Sequence, residues 1–194
     1  MPWNVKPSAT TRIQQPPKPY LTKEMRDRYA AEILPRYEKK QGALMPILND
    51  VQHRYRCVPP AAMVEIAQFL EITPADVLDT ASFYEEYTTE PTGEFVIAIC
   101  QSVACELCEH EVILNHLRRK LDVEPHETTD DGRFTLLTLE CLGSCDTAPV
   151  ALVNETLYEN LTIEKIDKII DGLPAKAPTA TMHKTKRRKV RSSE

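Results

Sequence analysis

The spacing of apolar positions changes character partway along the chain, and the change divides it. From Leu21 the spacing is helical, with Thr22 placed as the N-cap of a first helix beginning Lys23-Glu24-Met25. A second helix is predicted over about Gln41 to Arg56, where Leu44, Ile47, Leu48 and Val51 share one face. Pro59-Pro60 ends it and opens a third over Ala61 to Leu70. A short fourth follows Thr73-Pro74, with Val77 and Leu78 inside. To about Tyr87 the pattern is that of a helical bundle. Beyond it, Glu94 to Ile99 is a short β-branched run typical of a buried strand. Glu109 to Leu121 returns to helical spacing, with Val112, Ile113, Leu117 and Leu121 on one face. Asp130-Asp131-Gly132 marks a turn before a strand over Phe134 to Glu140. Val150 to Val153 and Thr156 to Tyr158 form a hairpin across Asn154-Glu155, and Thr162 caps a last helix through Ile170 that stops at Gly172-Leu173-Pro174. The predicted class is α+β: an extended proline-rich arm (1–20), a helical bundle (21–90), a small α/β layer domain (91–173) and a disordered basic tail (174–194).

Charge and cysteine usage then narrow the chemistry. The net charge is −5, yet Lys184, Lys186, Arg187, Arg188, Lys189 and Arg191 stand against Glu194 in the tail; removing that local +5 leaves −10 on the body. An acidic body argues against nucleic acid as a partner, and the tail lacks interleaved aromatics. No run approaches the roughly 18–20 apolar residues of a membrane span. The first 21 residues carry proline and polar residues where a signal peptide needs an apolar run, so a reducing, bacterial cytoplasmic setting is expected. In such a compartment thiols serve metals or redox chemistry. Of the six cysteines, five lie between Cys100 and Cys145, with Cys57 alone upstream.

Cys100 ends the first predicted strand and Cys105 follows it; Cys141 ends the second and Cys145 follows it. If the strands are neighbours, two short cysteine loops meet at one sheet edge. Four thiolates, two for each iron, are what a [2Fe–2S] cluster requires. Gly143 lets the second loop turn tightly and aim amide hydrogens at the sulfurs. With Cys141-Leu142-Gly143-Ser144-Cys145-Asp146-Thr147-Ala148-Pro149, Ser82-Phe83-Tyr84, Cys100-x4-Cys105 and Tyr158-Glu159-Asn160-Leu161-Thr162, the sequence resembles the thioredoxin-like [2Fe–2S] ferredoxins. Within that family it is most similar to the small E-subunit branch of bacterial NADH–quinone oxidoreductase. The resemblance runs from about Ala43 to Asp171. It implies a thioredoxin-like domain behind the helical bundle, and docking against a flavin-bearing, NADH-binding subunit among other peripheral-arm subunits. On that reading FMN and NADH belong to the partner, and the chain is held at the inner membrane through the complex without inserting. One departure stands out: the family has glycine four residues after its second cysteine, and this chain has Glu109.

Other assignments of the same thiols remain at this point. Cys100-x4-Cys105-x2-Cys108 with Cys141 matches plant-type ferredoxin spacing but leaves Cys145 idle. Cys105-x2-Cys108 resembles a thiol–disulfide oxidoreductase site, without its Trp and Pro neighbours and with Glu106 and Glu109 opposing thiolate formation. Cys105, Cys108, Cys141 and Cys145 suit a structural zinc, as in a non-redox assembly subunit, with Cys100 unused. Cys57 is expected to be a buried small hydrophobe and Cys108 helix-face packing. His53, His110, His116, His126 and His183 share no metal spacing, and His110 is expected at the solvated surface. Glu85 and Glu86, beside Tyr84 and Tyr87, are placed either against a partner or in a solvated turn. No nucleophile with its base, phosphate loop or carboxylate pair appears, so one-electron transfer through a cofactor is expected instead of stand-alone catalysis. All-thiolate ligation implies a low potential, roughly −400 mV. The same module also serves NAD-linked hydrogenases and formate dehydrogenases.

Overall fold

The computed structural model describes Ile13 and residues 16–174, so most of the arm and the tail beyond Pro174 lie outside the described residues. Helix α1 (Lys23–Arg28) starts as its cap dictates, Thr22 Oγ1 accepting from the Met25 amide at 3.3 Å. It loosens into a π turn over Tyr29–Ile33, then tightens at Leu34–Arg36 around Pro35. Helix α2 (Leu44–Tyr55) begins later than its apolar spacing predicts, after a 3-10 turn over Lys40–Ala43. Pro46 accounts for the difference. In a helix starting at Gln41 it would remove an internal hydrogen bond; in the first turn of α2 its missing N–H has no helical partner to lose. Helix α3 (Pro60–Leu70) has proline at its first position, and α4 (Pro74–Phe83) carries a Thr73/Asp76 capping box.

These helices close over Leu21, Met25, Tyr29, Ile47, Leu48, Val51, Ile66, Leu70 and Val77, all buried. Leu78, expected inside, is 50% exposed, because one residue beyond Val77 the helix has turned by about 100°. Two buried carboxylates find partners within the bundle. Glu65 accepts the backbone amides of Tyr20 (3.1 Å) and Leu21 (2.8 Å), which pins the entry of the arm. Asp50 accepts from the Arg28 guanidinium and the Tyr29 hydroxyl. Burial first, and Asp50 second, hold the Tyr29 phenol above its usual range.

The connection to the second half is strapped to the first by Val58 N–H to Thr88 O (2.7 Å) and Thr92 N–H to Arg56 O (2.9 Å). Gly93 then passes so close to β2 that a Cβ would lie 2.6 Å from the Phe134 carbonyl carbon.

Four strands follow: β1 (Phe95–Cys100), β2 (Phe134–Leu139), β3 (Ala151–Val153) and β4 (Thr156–Tyr158), ordered β2-β1-β3-β4. β1 runs parallel to β2, pairing Phe95 with Phe134 and Cys100 with Leu139, and antiparallel to β3. A parallel pair needs a crossover, supplied by α5 (Val103–Leu107) and α6 (His110–Leu121). Helix α7 (Ile163–Gly172) is capped by Thr162, which accepts from the Lys165 amide at 3.2 Å. Its Ile166 and Ile170 pack with Ile97, Ile99, Ile113, Leu117, Leu136 and Val153 into a second core. Val112, expected on the inner face of α6, is 48% exposed; Ile113 and Leu117 carry the burial instead. On the outer side, Asp167 accepts from His116 (2.8 Å) and Lys120 (2.7 Å), and these two bonds hold its carboxyl below the usual range. Among the described residues no helix is long and apolar enough to cross a membrane.

Candidate metal centre

The two strands that carry the cysteine loops are neighbours, so the loops do emerge at one edge. Cys100 closes β1, its amide bonded to Val150 O (3.1 Å), while the Gln101 amide bonds to Leu139 O (2.9 Å). Strand β1 is therefore held to its end from both sides. Cys105 sits on α5, just beyond the strand. Both are buried, and with Val150 they form a small cluster of their own against Leu142 and Ala148. Cys141 lies two residues past β2, and Cys145 opens a 3-10 turn over Cys145–Thr147; both are exposed. Gly143 takes the left-handed conformation (φ 72°) and donates its N–H to Cys141 Sγ at 3.3 Å.

All six cysteines are free thiols. Burial first, with Cys100 and, more weakly, Cys145, pushes the Cys105 thiol up to about 11 against a hydrogen bond from the Val150 backbone. The Cys145 thiol is raised by desolvation, then by Cys141, Cys100 and Asp146. These couplings group the sulfurs two by two, Cys100 with Cys105 and Cys141 with Cys145, each pair within electrostatic reach of the other. Gathered thiols resist ionisation unless positive charge is brought among them, which is what iron supplies. Among the described residues no three His, Cys, Asp or Glu side chains gather as around a single ion.

Over residues 30–174 the chain matches the family described as thioredoxin-like [2Fe-2S] ferredoxin. The chain belongs to that family. It is 38% identical over 140 residues to the E subunit numbered 2 of the NADH-quinone oxidoreductase of Rhizobium meliloti, covering 72% of this chain and 83% of the relative. It is 37% identical over 139 residues to NADH-quinone oxidoreductase subunit 2 of Thermus thermophilus, covering 71% and 77%. Among solved structures it resembles an NAD+-reducing [NiFe]-hydrogenase in the H2-reduced state, with a TM-score of 0.60 at 25% identity, covering 71% of this chain and 24% of that one. The chain thus spans about a quarter of the hydrogenase polypeptide. The helical bundle followed by a thioredoxin-like domain is the expected architecture, and the group that this ferredoxin holds is a [2Fe–2S] cluster.

Several neighbours of the site differ from their sequence-based expectations. Cys108 is exposed at the C-cap of α5 and does no helix-face packing. His110, expected in solvent, is 4% exposed, its Nδ1 3.1 Å from Glu106 Oε2. The cause is the joint between α5 and α6. Glu109 adopts a left-handed backbone (φ 58°) and α6 begins at the next residue, which puts His110 on the same helix face as the buried Ile113 and Leu117, three and seven residues on. A glycine takes that conformation without steric cost, which gives the family's residue at this place a physical reason. Cys57 is buried as expected, while Phe83 (78%), Tyr84 (40%), Glu85 and Glu86 are exposed and Tyr87 is buried. Two polar links at the site have no counterpart in the apolar pattern. Gln101 Nε2 donates to Glu140 Oε1 at 2.7 Å, joining the residue after Cys100 to the one before Cys141. Ser144, Thr147 and Glu159 form the second. The sequence signal for the second is that Ser144, Thr147 and Glu159 fall within the two motifs that carry the family resemblance.

Proposed function

We propose that this ferredoxin is the small iron–sulfur subunit of an NADH–quinone oxidoreductase, with Cys100, Cys105, Cys141 and Cys145 as the four ligands of its cluster. The observation carrying this is that the two cysteine loops leave the same end of the adjacent parallel strands β1 and β2 and pack on each other, Leu142 and Ala148 against Cys100 and Cys105, in a chain 37–38% identical to such subunits. When bound, the cluster supplies one-electron chemistry. The chain's own part is to bind and orient. β1 and α5 fix two sulfurs in a buried, apolar pocket; the Cys141–Cys145 loop presents the other two at the surface, within reach of a partner. The Gly143 amide at Cys141 Sγ stabilises negative charge on that sulfur. The partner in this reading is the flavin- and NADH-binding subunit, and the chain reaches the inner membrane as a peripheral member of the complex. Domain limits at residues 21–90 and 91–173 belong to the same proposal, resting on the two separate cores.

The test is the visible spectrum of the iron-loaded chain. Cys145→Ala or Cys100→Ser should bleach it, and Cys108→Ser should leave it intact. An unchanged spectrum in Cys145→Ala ends the ligand assignment. Reversible reduction by dithionite, followed by electron paramagnetic resonance, separates an electron carrier from a subunit whose metal is only structural. A second reading, the same module in an NAD-linked hydrogenase, is favoured by the structural likeness to such an enzyme. The proteins that co-purify with the chain decide between them.

A further inference from the structure

Packing buries the first cysteine pair; the second sits exposed on a loop whose two ends, Leu142 and Ala148, pack against the first. Between those ends, around Cys145, the contacts are polar. Ser144 precedes Cys145 and Thr147 follows two residues later; Ser144 Oγ and Thr147 Oγ1 each lie 2.9 Å from the same oxygen, Glu159 Oε1. The two hydroxyls are themselves 2.7 Å apart, closing a triangle around the turn that begins at Cys145. Each hydroxyl has one proton to give, and of the three groups the carboxylate is the one able to accept both.

Glu159 is fixed from behind. Lys165 Nζ donates to its carbonyl oxygen, tying it to the first turn of α7. The Asn160 and Leu161 amides donate to Thr147 O (2.7 Å) and Pro149 O (2.9 Å), so the segment after β4 lies strapped along the segment after Cys145. A lone surface hydrogen bond contributes little to stability. Here two charge-assisted bonds from residues flanking one thiol converge on an anchored acceptor.

We propose that Glu159 is the positioning residue of the second cysteine loop: its carboxylate clamps Ser144 and Thr147 so that Cys145 Sγ stays directed at the other thiols. This inference rests on the proposed ligand role of Cys145. The hydroxyl bonds keep Glu159 ionised, its pKa held below the usual glutamate value by Ser144 first and Thr147 second. It therefore also places a fixed negative charge beside the loop, which opposes the uptake of an electron there.

The test compares Glu159→Ala with Glu159→Gln in the full chain. Without iron, amide hydrogen exchange over residues 142–148 should rise about ten-fold in Glu159→Ala and stay near wild type in Glu159→Gln, whose amide oxygen still accepts. With iron and sulfide loaded, Glu159→Ala should lose iron to a chelator faster by a similar factor. Glu159→Gln should retain it, with its midpoint potential moved upward. Wild-type exchange and wild-type iron loss in Glu159→Ala would overturn the proposal, as would an unmoved potential in Glu159→Gln. A wild-type chain that takes up no iron and sulfide would refute the ligand assignment instead, and the exchange comparison would still decide the role of Glu159.

Discussion

The two cysteine pairs reach the same place by different physics. Cys100 and Cys105 are 3% and 2% exposed, set on a strand end and a helix, with Val150 behind them. Cys141 and Cys145 are exposed, set on a loop held by a left-handed glycine, an amide-to-sulfur bond and the Glu159 clamp. The buried pair is secured by apolar contact, which is strong and insensitive to pH. The exposed pair adds polar bonds to the packing of Leu142 and Ala148 at its loop ends, which leaves its sulfurs open to a partner at the cost of a weaker hold. A site that must exchange electrons with another protein needs both: one side rigid enough to define the geometry, the other near enough to the surface for approach.

The contrast can be broken most strongly at Val150. Val150→Ala should open a cavity beneath Cys100 and Cys105 and lower unfolding stability by about 2 kcal/mol in denaturant titration. Serine substitutions sharpen it next. Cys105→Ser places a hydroxyl in an apolar pocket and should cost the iron-free chain about 1–2 kcal/mol. Cys145→Ser, in solvent, should change it by less than about 0.5 kcal/mol. Equal losses would remove the distinction between the pairs. Glu109→Gly relieves a left-handed backbone at the joint behind Cys105 and should raise stability by about 1 kcal/mol or somewhat less, read from the same titration. The smallest effect is on pH. The Glu159 carboxyl titrates lower in the fold than when unfolded, so its contribution is present above the usual glutamate value of 4.5 and is lost as pH falls through the depressed value. Protection factors over residues 142–148, with the intrinsic slowing of amide exchange in acid divided out, should then fall on acidification, while those of β1 hold.

Elements with a local cause were legible in the sequence. Thr22, Thr73-Pro74 and Thr162 each open the helix their chemistry predicts, and the β-branched run at Phe95–Cys100 is a buried central strand. The proposed pairing of the four thiols rests on strand ends and short loops, which limit where a chain can go. What escaped the sequence depends on distant or conformational facts. His110 falls three and seven residues before Ile113 and Leu117, on the buried face of α6, but that reading requires knowing that the helix begins directly after the left-handed turn at Glu109. The start of α2 turned on where Pro46 falls within the first turn. The Glu159 clamp spans 12 and 15 residues of chain and leaves no periodic trace.

That these four sulfurs share two irons is the claim on which the rest depends. An anomalous-difference map at the iron edge, from crystals of the iron-loaded chain, addresses it most directly. Two adjacent iron peaks are expected, one against Cys100 and Cys105 and the other against Cys141 and Cys145. A single peak, or iron bound by Cys108 in place of any of the four, would contradict it.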